Sequence, residues 1–194
     1  MRIVGAVLAG GASSRMGTDK SMLSIGGTPA IKHICTNLEK VVNELVLITH
    51  KPDQYDFLNI PVYQDVFPGK GPLAGLHSVM YHKPADAYLL AACDMPFLNQ
   101  EVCEFLVKQL PGYDAVLPVY AGKRQPLAAV IGYKAFPVIQ RMLEENQLKI
   151  GLLFEQIRTK EQCEFPFPDK VLVKHFFNMN HPHEYEKAKE YFTN

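Results

Sequence analysis

Short runs of apolar residues alternate along this chain with segments whose apolar positions recur every three or four residues. Residues 2–9 (RIVGAVLA) form a continuous apolar run, which is typical of a parallel strand covered on both faces. Residues 29–42 follow, with Ile31, Ile34 and Leu38 at helical spacing behind a proline suited to a first helical turn. The pattern predicts a buried strand followed by an amphipathic helix.

The same alternation continues to about residue 110. We predict strands at 44–49, 60–65 and 86–94, a helix at 73–83 that starts near Pro72, and a helix at 99–110. Asn99 is the predicted N-cap of the last of these helices. Strands and helices in this order favour a Rossmann-like, three-layer α/β/α fold, in which helices cover both faces of a mostly parallel sheet.

The C-terminal half carries weaker patterns. The predicted strands there are 114–120, 126–133, 163–167 and 171–179, and the predicted helices are 135–146, 151–157 and a last one after Pro182. The segment 121–125 (AGKRQ) is typical of a loop or hairpin connection. Because no internal repeat or linker interrupts the chain, we expect a single domain over residues 1–194.

Composition and charge exclude several classes of partner. Of the 194 residues, 47% are hydrophobic and 21% charged, and the 20 basic residues balance the 20 acidic ones. A chain without net charge is not expected to bind nucleic acid or an acidic membrane surface. No apolar run approaches the ~18 residues of a membrane span. Because only Arg2 precedes the short first apolar run, residues 1–14 are interpreted as a strand and loop and not as a signal peptide.

The four cysteines lie far apart and include no C-x-x-C pair. This spacing signals neither a zinc site nor a disulfide framework. It favours a reducing compartment, and we therefore expect a cytoplasmic protein.

Residues 8–20 (LAGGASSRMGTDK) form a glycine-rich loop after the first predicted strand. In a parallel sheet this loop is the usual place for phosphates, because backbone N–H groups can converge there on an anion. Arg15 and Lys20 would add positive charge. The glycine spacing matches neither the Rossmann nor the Walker pattern. The loop predicts a polyphosphate site, and the alternative is a flexible turn with solvated charges.

Asp65 and Asp94 each end a predicted strand, so both should project near the rim that carries the glycine loop. A carboxylate among phosphate oxygens is a typical Mg²⁺ ligand. Asp94 would then anchor the metal, and Asp65 would recognise part of the ligand. An aspartate at a strand end is also a common cap or turn former, so both interpretations stay open.

Two other candidate chemistries receive little support. The chain has no serine, cysteine or histidine arrangement typical of a covalent triad. The segment His181–His183 (HPH) precedes the last predicted helix and has no evident partner ligands. We interpret it as a capping loop and not as a metal site.

Four motifs together resemble those of the molybdenum cofactor guanylyltransferases, the MobA family of the nucleotidyltransferase superfamily. Residues 8–20 are similar to the signature L-[AG]-G-G-x-x-x-R-M-G-x-D-K, and 65–76 (DVFPGKGPLAGL) to the segment D-x-x-x-x-x-G-P-L-A-G. Residues 89–98 (LLAACDMPFL) resemble the C-D-x-P metal strand, and 177–185 (FNMNHPHEY) the closing N-x-N-T-P-E-E. The motifs follow the family's order and span the chain.

The resemblance implies the fold of the nucleotide-diphospho-sugar transferases and one reaction. GMP would be transferred from GTP to the molybdopterin form of the molybdenum cofactor, giving the guanine dinucleotide cofactor and pyrophosphate, with Mg²⁺ as cofactor. The acceptor phosphate would attack the α-phosphorus in line, so no protein nucleophile is required. GTP, the molybdopterin cofactor and other proteins of cofactor biosynthesis would be the partners.

The resemblance also implies roles for individual residues. The residues implied to be catalytic are Arg15, Lys20 and Asp94, with Asp94 as the metal ligand. Those implied to bind GTP are Leu8, Ala9, Gly10, Gly11, Lys20, Asp65 and Asp94. Those implied to bind the acceptor are Arg124, Gln125, Pro126, Asn178 and Asn180. Gln125 replaces a histidine of the family pattern and His181 a threonine, and His50 stands where some members have asparagine.

Three alternatives compete with guanylyl transfer. The cytidylyl branch of the same superfamily carries a first motif that resembles LAAG, whereas this chain has Gly10, Gly11 and the segment Pro72–Gly75. Sugar-phosphate nucleotidyltransferases are usually longer. A non-catalytic nucleotide-binding module is the third alternative, but it would not need both Lys20 and Asp94.

Overall fold

The computed structural model of the protein describes residues 1–10 and 19–193. The strands are β1 (Ile3–Leu8), β2 (Ser24–Ile25), β3 (Thr28–Pro29), β4 (Glu44–Ile48), β5 (Val62–Tyr63), β6 (Ala87–Ala92), β7 (Ala115–Tyr120), β8 (Lys123–Arg124), β9 (Val130–Gly132) and β10 (Thr159–Gln162). The α-helices are α1 (Ala30–Leu38), α2 (Pro72–His82), α3 (Gln100–Lys108), α4 (Phe136–Glu144), α5 (Ile150–Gln156), α6 (Asp169–His175) and α7 (Pro182–Thr193). Short 3₁₀ helices cover Lys20–Met22, Pro52–Leu58, Pro126–Ala128 and Tyr133–Ala135.

The main sheet is mixed but mostly parallel. Its strand order is β10-β7-β9-β6-β1-β4-β5, with β8 paired to the end of β7. Strands β6, β1, β4 and β5 run parallel to one another, and β10 runs parallel to β7. Strand β9 is antiparallel to both of its neighbours. The predicted mostly parallel sheet is therefore confirmed.

Helices cover both faces of this sheet, as predicted. On one face α1, α3 and α6 pack against alternate strand residues such as Val7 and Leu89. On the other face α2, α4 and α5 pack against the residues between them, such as Ala6 and Leu90. Because strand side chains alternate between the two faces, an unbroken apolar strand such as β1 can be buried on both. The three-layer α/β/α arrangement is confirmed.

The register of the central strands fixes one edge of the sheet. Leu8, the last residue of β1, pairs with Ile48 of β4 and with Ala92 of β6. The Ala9 N–H continues this ladder by donating to the Ile48 carbonyl at 2.9 Å. The segments that leave these three strands therefore begin side by side.

Two predicted strands in the C-terminal half are wrong. Residues 163–167 contain no strand, because Pro166 lacks the N–H group that a ladder needs, and the strand instead lies earlier, at Thr159–Gln162. Residues 171–179 contain most of helix α6, not a strand. Its buried residues Leu172 and His175 recur at helical spacing, although the Val-Leu-Val run suggested a strand.

Other elements differ from the prediction in their bounds. The predicted strand at 60–65 is reduced to Val62–Tyr63, and that at 126–133 to Val130–Gly132 behind a 3₁₀ turn. The β2–β3 hairpin and the 3₁₀ helix Pro52–Leu58 were not predicted. Elements this short bury too few residues to show a period in the sequence.

The C-terminal helix α7 packs beside the β2–β3 hairpin. Ile25, Met179 and Ala188 form a small buried cluster there, and the Tyr185 hydroxyl donates to the Ser24 carbonyl at 2.7 Å. Neither α7 nor any other helix in residues 1–10 and 19–193 combines the length and apolar character needed to cross a membrane.

A buried histidine joins α6 to the start of α3. His175 is 1% exposed, and its Nδ1 accepts a hydrogen bond from the Asn99 N–H at 2.9 Å. Asn99 in turn caps α3 by accepting from the Val102 N–H at 3.0 Å, as predicted. Burial lowers the pKa of His175 to about 3, so this side chain stays neutral in the folded protein at neutral pH.

We predict that His175 makes the fold sensitive to acid. The pKa of His175 is lower in the folded state than its ordinary value of 6.5. The stability that the neutral side chain contributes to the fold is therefore complete above pH 6.5 and is lost as the pH falls towards about 3. Relative to His175→Gln, the wild-type free energy of unfolding should fall by up to about 1.4 kcal/mol per pH unit in this range. Urea unfolding at several pH values measures the difference, and parallel curves for the two proteins would contradict it.

Candidate active site

A cavity of about 850 Å³ opens at the carboxyl ends of the central strands. Its lining comes from the ends of β1, β4, β5 and β6, from the segments that follow them and from the start of α2. The lining residues are Leu8, Ala9, Gly10, Asp19, Lys20, Ile48, His50, Gln64, Asp65, Pro68, Gly69, Gly71, Pro72, Gly75, Ala92, Cys93, Asp94 and Leu127. Open α/β sheets bind their ligands at this edge. Gly11 and Arg15, two of the predicted site residues, lie outside the described residues.

Asp94 follows β6, and one of its carboxylate oxygens has no hydrogen-bond partner among the described residues. Its Oδ1 is buried and makes no hydrogen bond within the described part of the chain. Burial raises the pKa of Asp94, an effect that Lys20 opposes and Glu184 reinforces. A buried carboxylate oxygen without a hydrogen bond is costly in an apolar environment, and here it faces a cavity large enough for a ligand or an ion.

Lys20 brings a positive charge to the same cavity. Its Nζ donates to Asn180 Oδ1 at 2.9 Å, although the two residues are 160 positions apart in sequence. Next to Asn180, the Met179 N–H donates to the Asp94 carbonyl at 2.9 Å. The closing segment of the chain is thereby attached to the rim, where Lys20 and Asp94 line the cavity and Asn180 is hydrogen-bonded to Lys20.

The histidines of the HPH segment take no part in this cluster as ligands. Glu184, in the first turn of α7, accepts from the backbone N–H groups of Asn180 and His181. This is the reciprocal half of a capping box, in which an acidic residue satisfies the free N–H groups at a helix start. This contact supports the interpretation of HPH as a capping loop.

Asp65 lies across the cavity, after β5, and is half-buried. Burial raises its pKa, while a contact with Ser78 and the nearby His50 oppose that rise. The Ser78 hydroxyl donates to the Ala74 carbonyl at 2.8 Å and accepts from the Val66 N–H at 2.9 Å. The middle of α2 therefore holds the segment that carries Asp65.

Two glycines shape the side of the cavity formed by α2. Gly71 caps the helix with φ 74° and ψ −164°, a backbone conformation that is essentially restricted to glycine. A Cβ at Gly75 would lie 3.0 Å from Leu8 Cδ2, so the absence of a side chain lets α2 approach the end of β1. The start of this helix therefore lines the cavity through Gly71, Pro72 and Gly75.

The residues that the resemblance assigned to the acceptor are separated in space. Among the described residues, those lining the cavity include Leu127 but not Arg124, Gln125 or Pro126. Arg124 ends the β8 hairpin strand and is paired with Glu161 at 2.6 Å and with Glu155 at 3.4 Å. Their role in acceptor binding stays a prediction.

Asn178 does not line the cavity either, and its amide donates to the Phe176 carbonyl at 3.0 Å. Asn180, in contrast, reaches the cavity through Lys20. Of the two closing asparagines, the structure therefore connects one to the site.

Several lining residues were not singled out from the sequence. Gln64 and Leu127 lie in short or irregular elements, and Gly71 was matched to the G-P-L-A-G segment without a role of its own. Glu184 was detectable as the acidic residue of a capping box. Asp19 belongs to the glycine-loop signature, but its spacing does not reveal a partner.

Comparisons with known proteins agree with this geometry. The structure is similar to molybdopterin-guanine dinucleotide biosynthesis protein A from Archaeoglobus fulgidus, with a TM-score of 0.81, 24% identity and coverage of 100% of this chain and 99% of that one. It is also similar to CMP:2-keto-3-deoxy-manno-octonic acid synthetase in complex with CTP, with a TM-score of 0.78, 15% identity and coverage of 100% and 99%. The fold is that of the nucleotidyltransferases.

The sequence comparisons identify the family. Residues 5–159 match the MobA-like NTP transferase domain. A protein of Carboxydothermus hydrogenoformans named "Probable molybdenum cofactor guanylyltransferase" is 36% identical over 97% of this chain and 95% of its own length. A protein of the same name from Clostridium perfringens strain SM101 is 34% identical over 93% of each chain. The chain belongs to the family of MobA-like NTP transferases and is an enzyme of the nucleotidyltransferase class.

We predict that Asp94 lowers the stability of the fold. Because burial raises its pKa, the charged carboxylate destabilises the folded state at neutral pH, and this penalty disappears below the ordinary value of 3.8. Asp94→Asn should therefore raise the melting temperature at pH 7 and lose this advantage in acid. The exposed Asp56→Asn serves as the control in the same thermal scans, and a lower melting temperature for Asp94→Asn at pH 7 would refute the prediction.

Gly71 offers a second prediction. Gly71→Ala should lower the free energy of unfolding by about 1–3 kcal/mol, because alanine does not readily adopt the backbone conformation of Gly71. It should also weaken binding of a nucleoside triphosphate, because the start of α2 lines the cavity. Gly112→Ala is the matched control, since Gly112 has φ 88° with equally open space and does not line the cavity.

Unfolding experiments and calorimetric titration of the nucleotide separate the two effects. Both variants should lose stability, but affinity should fall only in Gly71→Ala. Equal affinities in the two variants would remove the start of α2 from the binding site.

Proposed function

We propose that this enzyme transfers GMP from GTP to the molybdopterin form of the molybdenum cofactor, giving the guanine dinucleotide cofactor and pyrophosphate. The observation that carries the proposal is that Lys20 and Asp94 line one cavity of a MobA-like NTP transferase, with Asn180 hydrogen-bonded to Lys20. Support also comes from the relatives named molybdenum cofactor guanylyltransferase, which match 93–97% of the chain. No structural observation favours a second function.

The proposed reaction exchanges one phosphoanhydride bond for another. An oxygen of the acceptor's terminal phosphate forms a bond to the α-phosphorus of GTP, and the bond from that phosphorus to the bridging oxygen of the β-phosphate breaks. The electron pair leaves with pyrophosphate. Such a transfer needs in-line positioning and compensation of negative charge more than it needs a protein nucleophile.

The side chains at the cavity suit these requirements. The Lys20 ammonium reaches the cavity and would compensate charge on the phosphates. Gly10 and Gly71, which both line the cavity, would offer backbone N–H groups to the phosphates.

Asp94 Oδ1, which has no hydrogen-bond partner within residues 1–10 and 19–193, fits a hard cation such as Mg²⁺. Mg²⁺ in phosphoryl-transfer sites takes one or two carboxylates and completes its shell with phosphate oxygens and water. When bound, the ion would neutralise charge that develops on the phosphates. Asp94 would hold it, and Lys20 would supply a second positive charge beside it.

We also infer that the enzyme works in the cytoplasm. All four cysteines, Cys35, Cys93, Cys103 and Cys163, are free thiols in the structure. Free cysteines are typical of a reducing compartment.

We predict that Lys20→Ala lowers turnover by about 2–4 kcal/mol of transition-state stabilisation, as the loss of one preorganised charge does. The assay supplies Mg²⁺, molybdopterin and either GTP or CTP and measures pyrophosphate. Lys108→Ala, an exposed substitution on α3, should retain wild-type rates.

Each arm of this assay decides one part of the proposal. Turnover by the wild type with CTP but not GTP would refute guanylyl transfer. Turnover with neither nucleotide would favour the non-catalytic nucleotide-binding module. A wild-type rate in Lys20→Ala would remove that residue from the mechanism.

A further inference from the structure

Asp19 is an aspartate at the cavity whose task the proposed reaction leaves open. It stands directly before the 3₁₀ helix Lys20–Met22, where it is the N-cap residue. Its Oδ1 accepts hydrogen bonds from the Ser21 N–H at 3.1 Å and from the Ser21 hydroxyl at 2.7 Å. Its Oδ2 accepts from Gln54 Nε2 at 3.0 Å and from the Tyr55 hydroxyl at 3.3 Å.

The two hydroxyl groups of this network, of Ser21 and Tyr55, donate in a preferred direction. Ser21 has one hydroxyl proton, and the short contact to Asp19 Oδ1 uses it. The Tyr55 hydroxyl lies 2.8 Å from Ser21 Oγ, closer than it lies to Asp19. Tyr55 therefore donates mainly to Ser21, Ser21 donates to Asp19, and the negative charge of the carboxylate ends the chain.

Burial makes this network rigid. Ser21 is 0% and Tyr55 1% exposed. Although burial acts to raise the pKa of Asp19, the hydrogen bonds from Ser21, Gln54 and Tyr55 outweigh it and hold that pKa below its usual value. Asp19 is thus ionised at neutral pH. Its Oδ1 accepts two hydrogen bonds from Ser21, and its Oδ2 accepts one from Gln54 and lies 3.3 Å from the Tyr55 hydroxyl.

Asp19 and Asp94 line the same cavity but differ in what they can bind. Asp94 Oδ1 has no hydrogen bond within the described residues, whereas both oxygens of Asp19 are occupied. A carboxylate with four donors around it is poorly suited to hold a cation or to accept from a substrate. Its negative charge instead organises its own protein neighbours.

Asp19 and Ser21, which both belong to this network, flank Lys20 in the sequence. The Lys20 backbone lies between Asp19 and Ser21, and both are bonded to the 3₁₀ helix Pro52–Leu58 through Gln54 and Tyr55. We propose that Asp19, with Ser21 and Tyr55, is a positioning network that holds Lys20 at the phosphates of the nucleotide. This inference rests on the proposed function, since it takes Lys20 to be the phosphate contact.

A double-mutant cycle tests whether Asp19 acts through Lys20. Asp19→Ala should lower the turnover number roughly ten- to hundredfold, because a displaced charge loses much of its effect on the reacting group. In a Lys20→Ala background the same change should cost less than about threefold, since no charge remains to be positioned. Equal losses in the two backgrounds would overturn the proposal.

Conservative variants separate positioning from metal binding. Asp19→Asn keeps an N-cap acceptor for Ser21 and should recover most of the activity lost in Asp19→Ala. The Mg²⁺ concentration for half-maximal rate should stay at the wild-type value in Asp19→Asn. A shifted magnesium requirement would make Asp19 a metal ligand and overturn the proposal.

Two further variants guard against a purely structural effect. Tyr55→Phe removes a single hydroxyl of the network and should lower turnover in the same direction as Asp19→Ala, so it carries the test should Asp19→Ala not fold. Asp53→Ala changes an exposed carboxylate of the same 3₁₀ helix and should retain wild-type activity. A loss in Asp53→Ala as large as that in Tyr55→Phe would contradict the proposal.

Binding of inorganic tripolyphosphate, measured by calorimetry with the same variants, makes the two proposals fail separately. If the wild type does not process GTP but the coupling of Asp19 to Lys20 persists in tripolyphosphate affinity, the proposed function falls and the positioning network stands. If GTP is processed but the effects are additive, the network falls and the function stands.

Discussion

The parallel register that places Leu8 between Ile48 and Ala92 is the constraint on which the site depends. A shift of one residue in β1 would turn its buried side chains to the opposite faces of the sheet. Because helices pack on both faces, the packing between strand and helix side chains would then be lost on both. Because the register is fixed by this packing, the segments after the three strands always leave from one edge, and the cavity forms there.

The cavity combines one aspartate that is fully hydrogen-bonded with one that is not. Both oxygens of Asp19 accept hydrogen bonds from Ser21 or Gln54, whereas one buried oxygen of Asp94 has no partner in the part of the chain that the structure describes. The hydrogen bonds of Asp19 stabilise local structure. The buried Asp94 oxygen lowers stability but leaves a position free for a ligand. Binding sites commonly retain such unfavourable groups, because a group that is satisfied within the protein cannot also bind a ligand.

The closing segment completes the site from the far end of the chain. The Lys20 to Asn180 hydrogen bond and the Met179 to Asp94 backbone hydrogen bond attach it to the rim. Glu184 caps α7 directly behind these contacts. The last helix thus supports the cavity, although most of its residues lie on the outside of the molecule.

The long, strongly patterned elements were predictable from the sequence, because burial of a whole strand or of one helix face repeats over many residues. The glycine loop, Asp65 and Asp94 were detectable for a related reason, since they follow strands whose ends must share an edge. Helix α6 was misread because its Val171–Val173 run favours a strand locally, while packing of Leu172 and Phe176 against the sheet stabilises a helix. The sequence by itself determined the layered fold and the edge at which ligands bind. Only the tertiary structure decided which carboxylate is free and which is engaged, and that Arg124 is paired with Glu161 outside the cavity. Those outcomes depend on contacts between residues far apart in the chain, and no local pattern records them.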